Sequence, residues 1–71
     1  MGTQQGEAQR KVLLDWIKSF HQERGYMPSL KEIAEGNNMW RTSVVHHLGV
    51  LREERKIKFE DGNMSRTLRF K

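Results

Sequence analysis

The stretch Gly25–Leu51, GYMPSLKEIAEGNNMWRTSVVHHLGVL, constrains this chain more than any other. Pro28 fixes its own φ just before a helix start. Ser29 and Glu32 follow as S-x-x-E, a capping box: the serine hydroxyl accepts a backbone N–H at the helix start, and the glutamate side chain reaches back to the serine N–H. The pattern predicts a short helix from Leu30 to about Gly36. Asn37 and Asn38 end it, because asparagine tolerates the left-handed conformation of a helix terminus. A second helix is expected to begin at Arg41 or Thr42, with Thr42 as a candidate cap. Two helices joined by so tight a turn form a helix-turn-helix, whose second helix is the usual reader of a DNA major groove.

The flanking sequence supplies the rest of the unit. Leu13, Trp16, Ile17 and Phe20 recur at i, i+3, i+4 and i+7, with Leu14 widening the stripe, so residues 7–24 read as one amphipathic helix stopped by Gly25. The aromatic residues on it belong to the core, with Tyr26 and Met27 packed over it. In the short helix Leu30, Ile33 and Ala34 form the inner side, and Met39 enters the core from the turn. For Trp40, a half-exposed place beside DNA and a place in the core are both open. In the third helix, residues 42–55, Val44, Leu48 and Leu51 share the inner face, while Thr42, His46, Gly49 and Glu53 lie opposite, flanked by Val45 and Arg52. Ile57–Glu60 alternates apolar and charged as a strand does, Asp61-Gly62 is a hairpin turn signal, and residues 65–70 supply the return strand, with Leu68 and Phe70 inward.

These residues also carry a resemblance. GYMPSLKEIA at 25–34, then SVVHHL at 43–48 with Leu51 after it, resembles the N-terminal DNA-binding domain of LexA-type repressors over roughly Glu7 to Phe70. It departs from that pattern in a turn one residue shorter, in Asn38 where glycine is usual, and in Trp40 and Arg41 where small residues are common. The resemblance implies an α+β, mainly α, winged helix-turn-helix: three helices plus a C-terminal β-hairpin wing. It places Thr42, Ser43, Val45 and His46 at base-contacting positions. Thr42 and Ser43 can hydrogen-bond to bases or phosphate, Val45 can touch a thymine methyl, and His46 can donate to a guanine edge. Ser29, Trp40 and Arg41 around the turn, together with Arg52, Lys58, Arg66 and Arg69, complete the candidate DNA-binding set.

Charge distribution agrees with that partner. Residues 1–40 hold five basic side chains (Arg10, Lys11, Lys18, Arg24, Lys31) and five acidic ones (Glu7, Asp15, Glu23, Glu32, Glu35). Residues 41–71 hold eight basic (Arg41, Arg52, Arg55, Lys56, Lys58, Arg66, Arg69, Lys71) against four acidic (Glu53, Glu54, Glu60, Asp61), so the whole net charge of +4 lies there. Clustered cationic charge of this kind is the electrostatic footprint of a nucleic-acid binder, and equally of a solvated basic face.

Other classes recede. A chain of 71 residues makes one domain with a small core, in which an enclosed enzyme pocket is not expected. No cysteine is present, which removes disulfides and thiolate metal sites and is compatible with a reducing cytoplasm, on the nucleoid. No apolar run is long enough for a membrane span. Residues 1–6 are polar, lack the apolar stretch of a signal peptide, and read as a flexible tail before the domain at 7–71. His46-His47 does not suggest a metal site, since neighbours on a helix point about 100° apart. No catalytic constellation, cofactor motif or small-molecule pocket is visible. LexA-type repressors carry a C-terminal self-cleaving peptidase, for which this chain has no residues, so a stand-alone phage- or mobile-element-encoded regulator is the expectation. It is expected to bind double-stranded DNA, with a second copy on DNA or a partner protein adding affinity.

A second function is carried beside it: a winged-helix protein-interaction module acting on a polymerase or replication protein. The shortened turn and Trp40, a residue type favoured at protein hot spots, speak for it. Titration with random-sequence duplex DNA at low salt separates the two.

Overall fold

A computed structural model describes the backbone of residues 2–71 and the side chains of 6–64 and 66–71. Along the chain run α1 (Gly2–Arg24), α2 (Leu30–Gly36), α3 (Arg41–Glu53), β1 (Ile57–Lys58), α4 (Met64–Thr67) and β2 (Arg69–Phe70). The two strands pair antiparallel, Ile57 with Phe70 and Lys58 with Arg69. The helices α1–α3 and the C-terminal strand pair are the expected winged helix-turn-helix, mainly helical.

The core is built from one stripe of each helix. Leu13, Leu14 and Ile17 of α1 meet Ile33 and Ala34 of α2, Val44, Leu48 and Leu51 of α3, and Ile57, Phe59 and Leu68 from the wing, all buried. Trp16, Met27, Leu30, Met39, Met64 and Phe70 pack around them, half-buried. Met39 therefore enters from the turn as the sequence suggested. Tyr26 stays exposed but sets its ring edge-on against Phe20, with centroids 5.5 Å apart.

The capping box is complete. Ser29 Oγ accepts from Glu32 N at 3.2 Å, and Ser29 N donates to Glu32 Oε1 at 3.0 Å. At the other end of α2, Asn38 takes φ +53°, Asn38 N donates to Glu35 O and Met39 N to Ala34 O, a Schellman closure that aims the chain into α3. The same closure ends α3: Arg55 has φ +62°, Arg55 N donates to Arg52 O and Lys56 N to Leu51 O. Neither left-handed position is glycine.

Three expectations are corrected. First, α1 begins at Gly2, not near Glu7, so the backbone read as a tail continues the helix; Met1 lies outside the described residues. Gln4, Gln5 and Ala8 are good helix formers, and extending an existing helix costs far less than nucleating one. Second, the N-cap of α3 is Trp40, without a side-chain cap, and Thr42 sits inside the helix instead of capping it. Third, the wing is not a tight hairpin. Gly62 does turn the chain at φ +80°, but residues 59–68 form a loop containing α4, and the return strand is Arg69–Phe70 only. Thr67 explains the helical turn: its hydroxyl donates to Asn63 O at 2.7 Å and accepts from Glu60 N at 2.8 Å. That clip competes with a strand ladder, as local side-chain bonds do.

Candidate nucleic-acid interface

The first two turns of α3 present a polar and cationic edge. Arg41, Thr42, Val45 and His46 are exposed there, Ser43 is half-buried, and no acidic residue appears on the helix before Glu53. Val44, His47, Leu48 and Leu51 face inward, and this burial fixes which residues face out. Beyond His46 the face stays shallow: Gly49 has open space where a Cβ would stand, in a hollow of about 430 Å³ lined by Val45, His46, Gly49, Val50, Arg52 and Glu53. Trp40 stands at the tip of the helix, 82% exposed.

The wing adds a second cationic surface. Because Ile57 and Phe59 point into the core, Lys58 points away from it, and its partner across the strands is the exposed Arg69. Like charges directly opposite on a strand pair repel. Among the described residues the only salt bridges are Arg52–Asp61 and Lys56–Glu54, so neither Lys58 nor Arg69 is neutralised by a carboxylate. Arg66 is exposed on α4, in the loop between the strands.

Arg52 occupies a different place from the other candidates. Its guanidinium lies 4.3 Å from the centroid of the Phe59 ring, bonds Asp61 Oδ1 at 2.8 Å and reaches Phe59 O at 3.4 Å. It fastens the start of the wing to the flank of α3. Ser29, also a candidate, spends its hydroxyl on the capping box of α2. Arg55, Lys56 and Lys71 border a hollow of about 770 Å³ behind α3, together with Arg10, Lys11 and Lys18 of α1. The charge of the C-terminal half is thus divided between two sides of α3.

His47 was missed by the sequence reading. It is 6% exposed, and its Nδ1 has no hydrogen-bond partner among the described residues. Burial, then the nearby Arg10 guanidinium and then His46, hold its pKa below the ordinary histidine value of 6.5. The signal was present: position 47 completes the i, i+3, i+4, i+7 spacing with Val44, Leu48 and Leu51. His46 and His47 stand with ring centroids 5.7 Å apart, and no group of three potential metal ligands occurs among the described residues. No described helix is long and apolar enough to cross a membrane.

Comparison with known proteins agrees with the helix-turn-helix and its wing. The family model described as LexA DNA binding domain matches residues 3–67. A LexA repressor from Roseiflexus sp. (strain RS-1) is 36% identical over 64 residues, which cover 90% of this chain and 29% of that protein. The chain therefore spans less than a third of the relative it matches. With the capping box and the turn into α3 in place over the matched residues, the chain belongs to the LexA DNA-binding domain family.

Proposed function

We propose that this domain binds double-stranded DNA with sequence preference and acts as a repressor-like transcriptional regulator, in the cytoplasm on the nucleoid. The observation that carries this reading is the N-terminal half of α3: Arg41, Thr42, Val45 and His46 exposed together, with no carboxylate among them. A helix set in the major groove reads base edges with its first turns, and an acidic residue there repels phosphate. Thr42 and His46 offer hydrogen bonds to base edges, Val45 an apolar contact for a thymine methyl, and Ser43 and Arg41 contacts to phosphate or bases. The unneutralised Lys58–Arg69 pair, with Arg66 beyond it, lies along the sugar–phosphate backbone. Arg52 serves by holding the wing against α3.

Selection from a random duplex pool tests the reading, followed by titration of the recovered sequence and of random duplex across a range of salt. A recovered consensus bound more tightly than random duplex, with affinity falling steeply as salt rises, is the expected result. Failure to bind any duplex at micromolar protein in low salt overturns it.

A further inference from the structure

The Trp40 side chain is the most exposed large apolar group among the described residues. It is 82% exposed, against 64% for Val12, 54% for Tyr26 and 41% for Val45. Tyr26 at least leans on Phe20, whereas Trp40 has no aromatic partner among the described residues. Nor does its side chain cap α3. It occupies the N-cap, where a side-chain oxygen that accepts a backbone N–H is preferred, and it makes no cap hydrogen bond. Indole has a single N–H and no acceptor, so it cannot cap at all. A capping residue has thus been forgone to hold a large rigid apolar surface at the tip of the helix that carries Arg41, Thr42, Val45 and His46.

We propose that the Trp40 indole is an apolar anchor of the DNA complex. It lies against deoxyribose carbons and thymine methyl groups at the margin of the groove that α3 enters, with Nε1–H free to donate to a phosphate oxygen. The inference rests on the DNA-binding reading above and adds to it a contact of a different physical kind. Lysine and arginine contacts release counterions and weaken as salt rises. Burial of an indole face carries no charge, so its contribution persists at salt concentrations where the wing contributes little. The position suits this role, because the residue at the N-cap is the part of α3 that leads into the groove. The side chain suits it as well, since a large, rigid, amphipathic ring gains contact area with little loss of conformational freedom.

Two substitutions and one spectroscopic measurement test the proposal. Trp40→Ser installs a capping hydroxyl, so the free domain keeps or raises its Tm, and misfolding cannot account for a loss of binding. Trp40→Ala controls for any hydrogen bond that the serine itself gives to DNA. Both variants are expected to bind the selected duplex about tenfold or more weakly, in the range found when an aromatic–base contact is removed, with the slope of log affinity against log salt unchanged. In a Trp16→Phe background, Trp40 fluorescence is expected to be quenched by the duplex and shielded from acrylamide. If the unaltered domain binds DNA while both variants bind equally well and Trp40 stays open to acrylamide, this inference fails and the DNA reading stands; an indole reserved for a partner protein gives that result. A change in salt slope equal to one lost lysine or arginine contact to phosphate also overturns it. If the unaltered domain binds no duplex, both readings fall.

Discussion

At the scale of single residues, three positions hold the domain in shape for reasons that can be measured. Ser29 closes the capping box, and Ser29→Ala is expected to destabilise the domain by ~1 kcal/mol, the usual cost of a lost N-cap. That is a Tm drop of roughly 4–8 °C for a domain this small; an unchanged melting curve would show that the box contributes nothing. Gly36 ends α2 beneath the Trp16 indole, where an added Cβ would meet Trp16 Cζ2 at 2.1 Å. Alanine is the better helix former by about 1 kcal/mol, yet overpacking against a rigid ring costs roughly 1–3 kcal/mol. Gly36→Ala is therefore expected to lower Tm, and to stop doing so in a Trp16→Leu background; an equal loss in both backgrounds would refute the contact. His47 sets a pH dependence. Its folded pKa lies below 6.5, so as pH falls through the unfolded value the unfolded chain takes up a proton that the native state refuses. Stability from this group is complete above pH about 6.5 and declines below it. Thermal melts between pH 7.5 and 5.5 should show Tm falling with pH, and falling less in His47→Gln.

At the scale of elements, the wing differs most from its outline in the sequence. The alternation Ile57–Phe59 correctly placed two apolar side chains inward, and Leu68 as well, because burial against α3 demands it. The turn chemistry at Asp61-Gly62 misled, since a turn signal specifies local backbone and not where the chain pairs afterwards. The Thr67 clip and the burial of Leu68 decide that, and they leave only Lys58 and Arg69 paired on the outer face. Replacing Lys58 and Arg69 with alanine is expected to weaken binding to all duplexes alike and to reduce the salt slope by roughly 1–2, about 0.9 per lost phosphate contact. A loss confined to one sequence would mean that these side chains read bases.

At the scale of the whole molecule, the question is how a domain this small reaches useful affinity. One winged helix covers about one half-site and buries on the order of 600–1,000 Å². The apolar stripe of α1 is spent on the core, leaving Val12 as its exposed large aliphatic residue, so no helix face remains for a coiled-coil dimer. The domain is expected to sediment as a monomer at tens of micromolar. It should bind a duplex with two half-sites, centred about one helical turn apart, far more tightly than a duplex with one. A stable dimer in the absence of DNA would refute this.

The sequence by itself determined α2 with its capping box and the inner faces of α1 and α3, because caps and 3.6-residue periodicity are local properties written within a few residues. It also determined that α3 would expose Thr42, Val45 and His46, since Val44, Leu48 and Leu51 leave them no other side. Only the tertiary structure decided what depends on contacts between distant residues. It clipped Arg52 to Asp61 and Phe59, and turned Arg55, Lys56 and Lys71 toward α1. It left Trp40, for which sequence offered two places, standing in solvent, because the core filled without it.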